Sequence, residues 1–193
     1  MTLIERLRDS LARPVAQPLL PGDLAEGGDP GLIPAAVLIA LTDRPEPGAI
    51  LTIRREHMRT HAGQIAFPGG RIDAGENALA AALREANEEL GICPADVAVA
   101  GSLEPYGTVT GYHVTPLVGV IPPDLSLEPH EPEVAGWFEA PLAHLLDAAN
   151  QHRRSALFEE RERHYYEIIW EGRRIWGATA AIIVNLARRL QWH

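Results

Sequence analysis

Gly70-Arg71-Ile72-Asp73-Ala74-Gly75-Glu76-Asn77-Ala78-Leu79-Ala80-Ala81-Ala82-Leu83-Arg84-Glu85-Ala86-Asn87-Glu88-Glu89-Leu90-Gly91-Ile92 is the stretch on which the reading of this chain turns. From Asn77 to Leu90 it is written in Ala, Leu, Arg and Glu without Pro or Gly, which is helix chemistry, and Gly91 and Pro94 stop it. Glu85, Glu88 and Glu89 stand at i, i+3 and i+4, so one helix face carries all three and their carboxylates are expected to converge. On an idle helix such like-charge neighbours cost roughly 0.2–0.5 kcal/mol per pair, and more when desolvated. A bound divalent cation removes that penalty. The donors are hard oxygens with no sulfur and no obligatory histidine, which favours Mg²⁺ or Mn²⁺ over zinc, especially where substrate phosphates complete the coordination shell.

A solvated acidic face with Arg84 paired to Glu88 is the commonplace alternative, and for a lone Glu-x-x-Glu-Glu it would prevail. Here Gly70, Glu76, Arg84, Glu85, Glu88, Glu89 and Gly91 must be explained together, and composition gives that set a chance on the order of 10⁻⁷ per register.

The rest of the chain reads as elements around this helix. Met1 to Arg13 has apolar residues at helical spacing with charges between them, an amphipathic helix rather than a signal peptide. Ala16 to Pro34 is a Pro/Gly-rich loop. Strands are expected at Ala35–Thr42, Ala49–Arg54, Val97–Leu103, Thr115–Ile121, Val134–Phe138 and Tyr165–Trp170. Pro122 to Glu133 is a loop, and helices are expected at Pro141–Ala149 and Ala178–Leu190. Strands and helices intermingle, so the fold class is α/β or α+β in layers, as one domain over residues 1–193 with residues 1–34 as a leading helix and loop.

The segment 70–92 resembles the Nudix box at every position, Gly-x5-Glu-x7-Arg-Glu-U-x-Glu-Glu-x-Gly-U with U apolar, Ala86 being the smallest residue that meets the first U. The resemblance implies an α/β/α sandwich with a mixed sheet, and a loop-helix-loop that binds divalent metal and hydrolyses a nucleoside diphosphate linked to another group. Carried over by position, it implies Glu85, Glu88 and Glu89 as metal ligands, with a carbonyl near Gly69 or Gly70 completing the shell. Glu76 and Arg84 would brace the loop against the helix, with Gly91 at the helix end. Immediately upstream, Ile50-Leu51-Thr52-Ile53-Arg54, then Arg59, Gly63 and Phe67-Pro68-Gly69-Gly70, are similar to the accessory motif of the coenzyme A pyrophosphatase branch. Ile50 replaces a leucine there, and Arg55 replaces a small residue. The resemblance implies cleavage of coenzyme A or its derivatives to 3′,5′-adenosine bisphosphate and 4′-phosphopantetheine, with Arg54, Arg59, His61, Gly63 and Phe67 toward the substrate. The base that takes the proton of the attacking water would be a carboxylate, Glu89 or Glu133, with Glu85 beside it.

Arg54, Arg55 and Arg59 with His57 and His61 form a basic cluster in a chain of net charge -9, and guanidinium forks suit phosphate oxygens. His57 and His61 are spaced like a zinc-protease pair, but no Glu follows His57 and Gly63 opposes a helix, so they are expected as loop or substrate contacts. Trp137, Trp170 and Trp176 are expected in the core rather than as an adenine platform. Counting excludes other chemistries. The single cysteine, Cys93, allows no internal disulfide and no Cys-rich zinc site, in keeping with a reducing compartment. All 17 basic residues are arginine, which removes Schiff-base catalysis and the lysine of a P-loop. None of the four serines sits in a Gly-x-Ser-x-Gly elbow. The acidic balance opposes nucleic acid as a partner, no apolar run approaches a bilayer span, and a cytoplasmic small-molecule enzyme is expected. Oligomeric state has no signature.

Overall fold

The computed structural model describes residues 1–23, 31–55, 63–130, 132–158 and 161–192. Its centre is the strand β1 (Ile33–Thr42), hydrogen-bonded antiparallel to β2 (Gly48–Arg54) and parallel to β7 (Tyr112–Ile121). β3 (Ile65–Ala66) and β8 (Val134–Pro141) pair with β2. β4 (Gly69–Arg71) pairs with β1, and β5 (Ala98–Ser102) and β6 (Tyr106–Gly107) pair with β7. The result is a mixed sheet.

Alternation along β1 builds both layers at once. Ala35, Ile39 and Leu41 enter one apolar cluster, while Ala36, Leu38 and Ala40 enter the other, because successive side chains leave opposite faces of a strand. The second cluster is closed by α2 (Ala78–Leu90), which lays Ala81, Ala82, Ala86 and Leu90 against it. Three alanines on that face let the helix lie close to β1 and β4. Asn77 caps its first turn, accepting from the Ala80 N–H at 2.9 Å. Gly91 closes it at φ 70°, a left-handed conformation that only glycine adopts freely, and donates its N–H back to Asn87.

The first cluster is closed by α1 (Leu3–Ala12), α3 (Leu142–Leu146) and α4 (Ala178–Leu190). Thr2 and Glu5 form a capping box on α1. On α4, the buried Asn185 accepts from the Leu20 N–H at 2.8 Å and donates to the Leu20 carbonyl at 3.0 Å, which pins the segment after α1 across the helix. Asn185→Ala removes both bonds, and a loss of about 1–3 kcal/mol in urea unfolding is expected with the far-UV helical signal unchanged. A second, three-stranded antiparallel sheet, ordered β11 (Arg173–Trp176), β10 (Arg161–Trp170) and β9 (His152–Phe158), packs beside α4.

This is the mixed-sheet α/β/α layering expected from the sequence, with three local differences. The helix expected at Pro141–Ala149 ends at Leu146, because the Asp147 side chain accepts the Ala149 N–H and starts a separate 3-10 turn at Ala148–Asn150. β9 was not expected: His-Arg-Arg-Ser-Ala-Leu-Phe has no apolar alternation, since none of its described side chains is buried. Trp137 and Trp176 are not core residues, at 37% and 36% exposure. Among the described residues, no helix is long and apolar enough to cross a membrane.

Candidate active site

The site is assembled where the start of the box meets the end of its helix. Pairing of Ala36 with Gly70 and Val37 with Gly69 fixes β4 on β1, and the chain then runs through a loop into Asn77 and α2. A side chain on Gly69 would strike the β1 backbone, and one on Gly70 would displace the Glu85 carboxylate. A Cβ on Gly69 would stand 2.3 Å from the Ala36 carbonyl oxygen, and one on Gly70 would stand 2.4 Å from the Glu85 carboxylate. The missing side chain of Gly70 is what leaves room for the Glu85 carboxylate against the β4 backbone, and that of Gly69 lets β4 lie against β1.

Arg84 ties the loop to the helix. Its Nε and Nη2 reach the two oxygens of Glu76 at 3.0 and 3.1 Å, a bidentate fork, while Nη1 reaches Glu85 at 2.9 Å and Glu88 at 3.0 Å. Nη2 also donates to the Arg71 carbonyl, and Glu76 accepts the Asp73 N–H at 3.1 Å. The guanidinium holds Glu76 below the usual carboxylate range, and the carboxylates in turn raise Arg84.

Glu89 lies deepest, 4% exposed. Among the described residues its oxygens receive the Gly69 N–H at 3.2 Å and face the Arg54 guanidinium at 3.9 Å. Burial pushes its pKa up to about 7; the Gly69 N–H and Arg54 oppose the rise, and the charges of Glu85 and Glu133 add to it. Glu85 is raised too, again first by burial, with Arg84 opposing. Glu85 and Glu89 line a cavity of about 550 Å³ together with Arg54, Gly70, Phe67 and the exposed Glu133.

The expected convergence of three box carboxylates is only partial. Glu88 is turned away to Arg84, with its side chain 58% exposed, because the guanidinium offers it a charge partner on the outer edge of the helix. Among the described residues, no three acidic, imidazole or thiol side chains are gathered closely enough to hold a metal ion by themselves. The donor chemistry nevertheless fits a hard dication. An ionised carboxylate has about four lone-pair sites, and Glu89 holds one N–H and a distant cation while buried. Glu85 and Glu89 leave oxygens on the cavity that a hydrated dication and a diphosphate would complete.

Gly63 stands at φ 67°, its N–H on the Arg54 carbonyl at 3.1 Å, and Phe67 is a buried wall of the cavity. Arg59 and His61, like His57, lie outside the described residues. Other residues of the wall carry no pattern that spacing reveals. Arg71 reaches the Tyr112 hydroxyl at 3.3 Å across the gap from β4 to β7. Asp23 accepts from the Tyr106 hydroxyl at 2.6 Å and from the Val109 N–H at 3.0 Å, which sets the Thr108–Thr110 turn on the rim. These contacts join positions more than forty and eighty residues apart, and only the sheet brings them together.

The NUDIX domain model matches residues 32–160, more than half of the chain, and spans every element just described around β1 and α2. The chain belongs to the Nudix family. It is 48% identical over 158 residues to the protein named uncharacterized Nudix hydrolase NudL of Escherichia coli K12, covering 81% of this chain and 82% of that protein. A Nudix hydrolase from M. smegmatis, RenU, superposes with a TM-score of 0.52 at 22% identity, over 63% of this chain and 79% of that one. The C. elegans Ap4A hydrolase in its binary complex superposes with a TM-score of 0.50 at 19% identity, over 56% and 80%. At those identities the structural likeness speaks for the fold. As a Nudix hydrolase the protein acts on a pyrophosphate bond of a small molecule, and Nudix hydrolases generally work with divalent ions such as Mg²⁺ or Mn²⁺.

Proposed function

We propose that this Nudix hydrolase cleaves the pyrophosphate bond of coenzyme A or its derivatives, giving 3′,5′-adenosine bisphosphate and 4′-phosphopantetheine or its acylated form. The observation that carries the reading is Arg54. The last residue of β2, it belongs to the segment Ile50–Gly70 that resembles the coenzyme A branch, and it lies on the carboxylate cavity beside Glu89. A guanidinium there offers a phosphate oxygen a fork of donors. Among the described residues its Nε is buried without a hydrogen-bond partner, a donor that a ligand could take.

In this reading Glu85 and Glu89, with the Gly70 carbonyl and with Glu88 once it exchanges Arg84 for the ion, would hold Mg²⁺ or Mn²⁺. The ion, when bound, offsets the diphosphate charge and eases loss of a proton from water. Glu76 and Arg84 keep the loop on the helix, and Gly91 ends the helix at the right residue. A water oxygen attacks one phosphorus, the bond from that phosphorus to the bridging oxygen breaks, and the bridging oxygen leaves on the other phosphate. The water's proton goes to a carboxylate. Glu89 is better placed for this than Glu133, since it lies deep in the cavity beside Gly69 and Arg54 while Glu133 is exposed. Arg59, His61 and Gly63 belong to the segment after Arg54 that would reach the outer phosphates. Residues 1–193 are read as one domain, in a reducing cytoplasmic setting, with no nucleic-acid partner.

The test is product analysis by mass spectrometry, with coenzyme A and a panel of nucleotide sugars, dinucleoside polyphosphates and nucleoside triphosphates in Mg²⁺ and Mn²⁺. The two half-molecules from coenzyme A are the expected result. Turnover of panel compounds with coenzyme A intact would reject the substrate and keep the family chemistry.

A further inference from the structure

Trp176 ends β11 just before Gly177 and α4, and it lies on the wall of the carboxylate cavity, as do its successors Gly177, Ala178 and Thr179. A tryptophan left 36% exposed forfeits about a third of the stabilisation that burying its ring fully would bring. The ring is nonetheless held firmly. Tyr165 meets it at 5.8 Å between centroids and 69° between planes, and the Arg174 guanidinium lies 4.8 Å from its centroid. Arg174 is itself fixed, ion-paired to Glu167 and donating to the Tyr165 hydroxyl at 3.0 Å. Glu167 is the cross-strand partner of Trp176, so the clamp and the ring are built on one pair of strands. A rigid, partly exposed aromatic ring on a cavity with acidic and arginine groups on its wall suits a ligand with a planar ring joined to phosphates, because little side-chain entropy is lost on stacking.

We propose that Trp176 is the stacking surface for the heteroaromatic base of the substrate and sets the preference for nucleotides over base-free phosphate esters. The inference rests on the nucleotide reading above and assigns the base to β11, away from the box. Its test is a binding measurement that needs no turnover. Calorimetry compares adenosine 5′-monophosphate with ribose 5-phosphate, which has the same sugar and phosphate and no base. Wild-type protein is expected to bind the nucleotide about tenfold to hundredfold more tightly. Trp176→Leu keeps apolar bulk without a plane, and should erase that difference while leaving ribose 5-phosphate binding as it was. Trp176→Phe should keep most of it. Equal binding of the two ligands by wild type, a preference that survives in the leucine variant, or equal weakening of both ligands would overturn the proposal. Failure to cleave coenzyme A would reject the proposed substrate without touching this result, and cleavage of coenzyme A with no base preference at Trp176 would reject this inference alone.

Discussion

Glu89→Gln is expected to lower kcat by about a thousandfold while making the metal-free protein harder to unfold. The two effects share one cause. Glutamine keeps the size of the side chain and an oxygen for the Gly69 N–H, but it cannot take a proton or carry a charge toward a dication. Removing a general base in this way typically forfeits 10²- to 10⁴-fold, as an order of magnitude. At pH 8 the wild-type carboxyl is ionised in a buried place, with its pKa raised from 4.5 to about 7. At about 1.4 kcal/mol per unit, that ionisation costs the fold on the order of 3 kcal/mol, which the neutral amide escapes. Steady-state rates and urea unfolding in EDTA measure the pair. Activity within tenfold of wild type would remove Glu89 from the reaction, and lost activity with a lowered unfolding midpoint would point to a damaged fold instead.

Metal-free protein should lose stability as pH rises from about 4.5 to 7.5, and Mg²⁺ should restore it at the upper end. The folded state holds the Glu89 proton more tightly than the unfolded chain, so folding takes up protons across that window and each step up in pH favours unfolding. The stabilising proton is fully present below 4.5 and gone once pH passes about 7, a change on the order of 3 kcal/mol. Glu85 is raised by burial and shifts in the same sense. Glu76 is lowered by Arg84 and acts oppositely, its contribution being lost only as pH falls below the ordinary carboxylate range, outside the window. A dication that binds the folded chain at a hundred times its Kd returns about 2.7 kcal/mol. Thermal midpoints in EDTA and in Mg²⁺ across the range provide the measurement; a flat profile in EDTA, or no rise on adding Mg²⁺ at pH 8, would contradict the buried-carboxylate site.

Much of this was legible in the order of residues. Asn77 to Leu90 is a helix on its own composition, and its ends are marked by Asn77 and Gly91, so α2 lies where the sequence puts it. β1 and β7 are long apolar runs that a sheet centre requires. Two- and three-residue strands such as β3, β4 and β6 are different, since pairing with β1, β2 or β7 makes them strands and nothing in their own residues does. β9 was hidden for the related reason that its described side chains face solvent. The direction Glu88 takes was not legible, because helical spacing gives a face but not the choice a side chain makes between a shared cavity and the nearest guanidinium, here Arg84. Trp176 was misread because apolar character alone assigns an aromatic ring to the interior.

By itself, then, the sequence determined the family, the reaction class, the helix that bears the carboxylates and the residues that brace it, because these depend on spacing within one local segment. Tertiary structure decided which carboxylates share the cavity, how far burial raises Glu89, and which distant groups complete the wall. Those are set by strand pairing and packing, which bring Gly70 onto β1, Tyr112 to Arg71 and Trp176 to the cavity wall across separations that no local pattern records.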